Sequence, residues 1–505
     1  MSATTLTSAI IGLDAYRVDV ECDISQGLPC FMVVGLPDTA VQEARERVRS
    51  ALKHSELPFP RTKITINLAP ADLRKGGTHF DLAMAIAILI AHGDLPAFPT
   101  KERLFLGELA LDGHLRPVPG TLSACLLAKE LGITELVVAE ENAREAMLVP
   151  DMRVIAAKTL REVVDHITGR APTTPAIAES IHTDRHATNY SDMSAVRGQE
   201  QAKRALEVAA AGGHNILLQG PPGSGKTLLA RAFPGILPDM THDEALDVTR
   251  VHSVAGLLTR NGFIQDRPFR APHHTASGVA LVGGGTVPRP GEISLAHRGV
   301  LFMDELPEFS RAVLENLRQP LEDGVVTVSR AHGTVVFPAR VTLIAAMNPC
   351  PCGYATDPDR PCSCTPTQAM NYRKRLSGPL LDRIDLMVSV PKVPTDRLID
   401  LAPGESSVTI RERVQMARDR QRERLMTLGM VTNAELTSDN VRKLVRLTEP
   451  ARQLLAQAVD TYRLSARVYF RILKVAQTIT DLGCGEEVDV PQVAEALQYR
   501  QMADG

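Results

Sequence analysis

The stretch Asn215–Phe233, NILLQGPPGSGKTLLARAF, decides the fold. An apolar run, ILLQ, reads as a short buried strand, GPPGSGKT is too rich in glycine and proline to continue it, and TLLARAF has helical spacing. Strand, glycine-rich turn and helix in that order match the pattern GxxxxGK[ST], in which backbone N–H groups turn inward around phosphate oxygens. The residues of this loop are Gly220, Pro221, Pro222, Gly223, Ser224, Gly225, Lys226 and Thr227. Lys226 supplies a point charge to the phosphates, and the Thr227 hydroxyl is a ligand for Mg²⁺. The expected cofactors are therefore ATP and Mg²⁺.

Two further apolar runs extend the pattern downstream. GVLFMDEL ends on Asp304 and Glu305, carboxylates at the C-terminal edge of a buried strand, where α/β folds bind ligands. Asp304 is expected to hold Mg²⁺ through water, and Glu305 to polarise the water that attacks the γ-phosphate. VTLIAAMN ends on Asn348, which is assigned to orienting that water or contacting the γ-phosphate. From Pro394 onward, ARDRQRERLMTL and YFRILKVAQTITDL keep helical spacing and read as an all-helical lid.

Before the nucleotide loop lies a different module. FMVVGL, KITINLA and ELVVAE alternate with the helical stretches AVQEARERVRSALKHS and FDLAMAIAILIAHG, an α+β or α/β pattern. GRAPTTPAIAESIHTDRHATN, residues 169–189, has the composition of a linker. The expected partition is 1–168, a linker at 169–190, a nucleotide-binding core at 191–393 and the lid at 394–505.

The 505 residues suffice for roughly three domains. With 56 Lys and Arg against 59 Asp and Glu, binding to nucleic acid must come from local basic surface and not from a basic whole. The N-terminus lacks a basic segment followed by a continuous apolar core, and no apolar run approaches a bilayer's span. A cytoplasmic protein with no membrane contact is the expectation. Of eight cysteines, Cys350, Cys352, Cys362 and Cys364 form two C-x-C pairs separated by nine residues. Four thiolates can close a tetrahedral Zn²⁺ site and staple a polar, proline-rich loop.

The motifs VVGLPDTAVQEARERVRSAL, INLAPADLRKGGTHFDLAMA, GPPGSGKTLLA, RPFRAPHHTAS, GEISLAHRGVLFMDELPEF, LRQPLEDG, NPCPCGY and SGPLLDRID span nearly the whole chain. By them it resembles the ComM/YifB group of magnesium-chelatase-like AAA+ proteins. That resemblance implies an α/β AAA+ P-loop core with a helical lid, a homohexameric ring, and for the ComM members a DNA helicase that drives branch migration in natural transformation. It also implies that Arg383 is an arginine finger reaching the neighbouring subunit's site, and that Arg467 is the sensor that contacts nucleotide from the lid. Hairpin insertions lining the pore are expected. EDGVVTVSRAHGTVVFPARV reads as two alternating strands around a turn at 330–333, with Arg330 and His332 facing DNA phosphate or forming the polar tip of an ordinary hairpin. A second insertion, 267–290, carries His273 and His274; without a third ligand at suitable spacing they read as hydrogen-bonded or phosphate-facing.

The first 168 residues resemble the proteolytic domain of Lon proteases, through GELALDGHLRPVPGTLSACLLAKELGITELVVAEENARE. Peptide hydrolysis of that type needs a Ser nucleophile and a Lys of lowered pKa on two segments. Here His79 stands at about the Ser position in KGGTHFDLA, and Ser123 at the Lys position in PGTLSACLLA. A degenerate domain is expected, serving assembly or DNA engagement. Two rival functions remain beside the DNA motor: a chelatase-type protein remodeller and an ATP-dependent Lon-like protease.

Overall fold

Five short parallel strands form the central sheet, in the order Phe269–Arg270, Val300–Met303, Thr342–Met347, Ile216–Gln219, Leu386–Ser389. The computed structural model describes residues 2–98, 102–176, 190–258, 262–285, 288–330, 333–393 and 404–500. The strands are nearly all apolar because both faces of this sheet are covered. One face, with Ile216, Leu218, Phe302, Ile344 and Val388, shares a core with the helix Glu200–Gly212 and the lid. The other, with Leu217, Leu301, Leu343 and Met387, packs on the segments that follow Leu281 and on the hairpin Val325–Arg330/Gly333–Pro338.

Helices make up the lid: Ser407–Leu425, Ser438–Leu444, Glu449–Tyr462, Ala466–Leu482 and Val490–Gln498. Four of them open on Ser or Thr side chains that accept a backbone N–H, and the fifth on Asp489 in a capping box. Within it Arg424 makes a two-pronged bond to the buried Asp481 at 2.7 and 2.8 Å, and Asn433 donates to the same carboxylate. No helix among the described residues is long and apolar enough to cross a membrane.

Among its described residues the N-terminal segment builds two larger sheets and the short ladder Glu108–Leu109/Leu115–Arg116. The first has the order Ser2–Ile11, Asp14–Ser25, Lys63–Ala69, Cys30–Val34, and the second, all parallel, Arg103–Phe105, Glu135–Ala139, Arg153–Ala157. The apolar helix Asp81–His92 is buried almost throughout, as FDLAMAIAILIAHG foretells, and ends at Gly93 in a left-handed cap.

This segment is clasped to the core through the helix His242–Ala255. Arg250 donates to the Leu13 carbonyl at 3.1 Å, to Ser123 Oγ at 3.2 Å and to Asp14 at 2.7 Å. One turn on, Ser253 donates to Glu145 and accepts from the Gly120 N–H. Ile11 and Leu13 join the core beneath the hairpin, and a Cβ placed on Gly12 would stand 2.4 Å from Val335 Cγ1. Gly12, at φ +64°, is thus required twice, for its turn and for its closeness to the hairpin.

Candidate nucleotide site and four-cysteine loop

The loop Gly220–Thr227 leaves the strand Ile216–Gln219 at the sheet's C-terminal edge, between the ends of Thr342–Met347 and Leu386–Ser389. Gly223 and Gly225 have φ of +75° and +95° with open space where a side chain would stand, so the backbone is free to face a ligand. Gly220 is needed for another reason: a Cβ there would lie 2.1 Å from the Val390 carbonyl. The helix Lys226–Ala232 begins without a side-chain cap, which leaves its first N–H groups for phosphate.

Lys226 is buried and folded onto this loop, its Nζ donating to the carbonyls of Gly220 and Pro221 at 2.8 Å each and lying 3.3 Å from Asn348 Oδ1. Burial pushes the ammonium below its ordinary pKa, and Asp304 and Glu305 pull it back. Thr227 Oγ1 donates to Asp304 Oδ2 at 2.9 Å, and Asp304 Oδ1 accepts the Glu305 N–H at 2.9 Å. The two residues expected to share Mg²⁺ are therefore in contact, drawn from the first turn of one helix and the end of a neighbouring strand. A hydroxyl beside a carboxylate, with space in front, fits a hard cation that keeps several waters.

Glu305 holds a left-handed backbone, φ 51° and ψ 46°. For a non-glycine residue this costs on the order of 1 kcal/mol and recurs at functional positions. It turns the carboxylate outward, where Oε2 lies 3.6 Å from His274 Nδ1. Thr227, Asp304 and Glu305 line a cavity of about 550 Å³ with Arg231, His273 and His274.

Arg383 and Arg467 lie elsewhere. Arg383 is buried, donates to the carbonyls of Arg318 (3.0 Å) and Pro379 (2.6 Å), and pairs with Glu322. Arg467 reaches the other oxygen of Glu322 at 2.5 Å. Both line a cavity of about 680 Å³ between core and lid that contains no residue of the Gly220–Thr227 loop. Burial and the nearby Arg467, Arg318 and Arg471 push the Arg383 guanidinium below its ordinary pKa. The structure thus joins Arg383 to Arg467 and separates both from this chain's own Lys226.

The four cysteines converge. Cys350 Sγ lies 3.4 Å from Cys352 Sγ and 3.6 Å from Cys362 Sγ, Cys352 and Cys362 are 3.5 Å apart, and all four sulfurs fall within 4.8 Å of one another. Ligands at about 2.3 Å around a tetrahedral ion sit about 3.8 Å apart, so the donor set fits Zn²⁺, and no pair is at bonding distance for a disulfide. The loop also touches the nucleotide site: a Cβ on Gly353 would lie 2.7 Å from Pro222. Among the described residues this is the one cluster with metal-ligand geometry, and His273 and His274 do not belong to it.

The hairpin forms as its alternation foretells, with Arg330 opposite Gly333 in register. The Arg330 side chain and the whole of His332 lie outside the described residues. His79 and Ser123 do not meet as a catalytic pair. His79 is buried, held down to a pKa of about 4 by that burial, whereas Ser123 donates to the Leu13 carbonyl at 2.6 Å and accepts from Arg250. Lys75 is fully buried and donates to the Pro70 carbonyl, so no Ser/Lys dyad exists among the described residues. Three relationships left no mark in the sequence pattern: Glu322 between two arginines, His274 against Glu305, and Pro222 against Gly353. Each joins segments far apart in the chain.

Residues 192–398 match the family "Magnesium chelatase, subunit ChlI", 20–142 match "Subunit ChlI of Mg-chelatase" and 404–500 match "Magnesium chelatase, subunit ChlI C-terminal". The chain is 46% identical to the competence protein ComM of Haemophilus influenzae over 99% of its own length and 97% of that protein's. It is 44% identical to the uncharacterized protein YifB of Escherichia coli over 98% and 96% of the two lengths. Against the magnesium-chelatase 67 kDa subunit of Chlorobaculum parvum it is 29% identical over only 30% of this chain and 22% of that one. With the nucleotide loop, the paired carboxylates and the cysteine loop in their places, the chain belongs to the ComM/YifB family of magnesium-chelatase-like AAA+ proteins.

Proposed function

We propose that this chain is the subunit of a cytoplasmic homohexameric DNA motor, a helicase that uses ATP to promote branch migration in natural transformation or recombination. One observation carries the reading: Thr227 meets Asp304 at 2.9 Å beside Lys226, in a chain 46% identical to a competence protein over nearly its full length.

The backbone of Gly220–Thr227 and Lys226 bind the phosphates. Thr227 and Asp304 would hold Mg²⁺, which when bound would supply positive charge against the phosphates. Glu305 takes the proton of the attacking water, and Asn348, within reach of Lys226, orients that water or contacts the γ-phosphate. Arg383 and Arg467 share Glu322 on a cavity remote from their own nucleotide loop, which supports a role for both at the neighbouring subunit's ATP. A site completed only by a neighbour makes ring assembly part of catalysis. Cys350, Cys352, Cys362 and Cys364 hold a structural Zn²⁺. Arg330 and His332, at the hairpin turn, contact DNA phosphates. Residues 1–168 act as a Lon-like scaffold that has lost peptidase chemistry, joined by 169–190 to the AAA+ core, 191–393, and the lid, 394–505.

Likeness to a competence protein over 99% of the chain, against 30% for a magnesium-chelatase subunit, favours the motor over a chelatase-type remodeller, and His79 and Ser123 at the positions of the Ser and Lys weigh against a protease. The test is the ATPase rate with and without single-stranded and forked DNA. Large stimulation with strand displacement is expected; no stimulation, together with casein cleavage, would favour the protease.

A further inference from the structure

We propose that Glu322 is a positioning residue that holds Arg383 and Arg467 together as one phosphate-binding unit directed at the neighbouring subunit's ATP. The inference rests on reading both arginines as acting across the subunit boundary. They come from different parts of the chain, Arg383 from the turn before the strand Leu386–Ser389 and Arg467 from the first turn of the lid helix Ala466–Leu482. One carboxylate joins them. Glu322 Oε2 pairs with Arg383 Nη2, and its Oε1 accepts from Arg467 Nη2 at 2.5 Å.

Two further guanidiniums, Arg318 and Arg471, act on Arg383 from the same corner. Each has its own acid: Arg318 lies 2.6 Å from Glu315, and Arg471 lies 2.9 Å from Asp385. Among the described residues neither Arg383 nor Arg467 has an ion pair with any acid but Glu322. Removing that charge would leave two cations side by side with nothing between them, and like charges at short range separate.

The short helix Arg318–Asp323 sets the direction of the pair. Arg383 Nε donates to the Arg318 carbonyl at 3.0 Å and Nη2 reaches Glu322 one turn further on, so the helix grips the guanidinium at two points, while Nη1 donates to the Pro379 carbonyl at 2.6 Å. Each Nη of a guanidinium carries two hydrogens, so both arginines can donate to a phosphate without leaving Glu322. The side chains of Glu322 and Arg467 are 44% and 43% exposed, so this side of the cavity is open to a neighbour.

Two cations stabilise charge growing on a γ-phosphate best when both already point at it, and such orientation lowers the barrier more than it tightens binding. Glu322 touches neither nucleotide nor water and takes no proton. It acts only through the two arginines.

The experiment measures steady-state ATPase and binding of a fluorescent ATP analogue for full-length Glu322→Gln, with size-exclusion chromatography in the analogue to follow assembly. The variant is expected to elute with the wild type, lose about tenfold or more in kcat, and keep KM and analogue affinity within about twofold. Mixed with Lys226→Ala subunits, it should exceed the summed activity of the separate proteins, because an intact loop of one then meets an intact Glu322 of the other. The double variant Glu322→Gln, Arg383→Ala should be no slower than Arg383→Ala alone, since both changes disable one unit. An unchanged kcat, a matching loss of analogue affinity, no gain on mixing, or further slowing in the double variant overturns the proposal. If Glu322→Gln does not fold or assemble, Glu322→Asp, which keeps the charge on a side chain too short to span both guanidiniums, carries the same readouts; failure of both to assemble makes Glu322 an assembly residue and overturns the proposal as well. Arg383→Ala separates the two ideas: wild-type turnover in that protein removes the premise, whereas a slow Arg383→Ala beside an unaltered Glu322→Gln removes only the role of Glu322.

Discussion

Thr227 Oγ1 and Asp304 Oδ2 meet at 2.9 Å across 77 residues of chain, one from the first turn of a helix and the other from the end of a strand. This contact gathers the metal-binding half of the site at one point, while Lys226 and Glu305 flank it with separate tasks. Lys226→Ala is expected to abolish nucleotide binding. Glu305→Gln is expected to keep binding and slow hydrolysis by on the order of 10³-fold or more. Binding by a fluorescent analogue and phosphate release, measured together, check this; a joint loss of both properties in Glu305→Gln would remove its distinct role.

Arg383, bound to Glu322 and away from its own Lys226, should act across a subunit boundary. Arg383→Ala is expected to lower turnover by on the order of 10³ while leaving ATP binding largely intact. Mixing Arg383→Ala subunits with Lys226→Ala subunits should restore part of the activity, because some interfaces then pair an intact loop with an intact arginine. No recovery at any mixing ratio would count against the shared site.

The sulfur cluster is expected to carry about one Zn²⁺ per chain, lost in the Cys350→Ser, Cys362→Ser double variant. Because Gly353 of this loop abuts Pro222, the double variant should also bind ATP more weakly than wild type. Elemental analysis of protein prepared without chelators gives the first answer and nucleotide titration the second. A metal content near zero leaves the cysteines as plain thiols.

His79 makes stability depend on pH. Its folded pKa of about 4 lies below the ordinary 6.5, so between those values the unfolded chain binds a proton that the folded one refuses. Its neutral burial therefore carries no penalty above pH 6.5, and stability falls as pH drops from there toward 4. The loss is about 3 kcal/mol at most. His79→Gln, if it folds, is expected to flatten this part of the acid-unfolding profile, followed by denaturant melts at pH 7 and pH 4.5. An unchanged slope would mean that the side chain is protonated in place.

The parts of the site legible in the sequence are those whose chemistry is local. GPPGSGKT contains both the turn and the charge, and GVLFMDEL contains both the strand and the acids at its end, so each motif carries its own geometry. The paired C-x-C motifs belong to the same class in one respect: their spacing brings all four sulfurs within 4.8 Å of one another. What could not be read are pairings fixed by tertiary packing. Glu322 looks like an ordinary helix-end acid until the lid brings Arg467 to it, and nothing in PHHTAS says which histidine faces Glu305. Ser123 was expected only as a remnant of peptidase geometry, and its bond from Arg250 depends on how two domains dock.

The closeness of Gly12 to Val335 changes how the Val325–Pro338 hairpin answers to force. A hairpin projecting alone from a sheet is a flap that bends at its root. Here the returning strand is wedged at its third residue, well out from its root, against the first turn of the N-terminal segment, and that segment is tied by Arg250 and Ser253 to the helix His242–Ala255. Tension applied at the tip is therefore shared between two anchorages on separate domains, and the hairpin works as a strut.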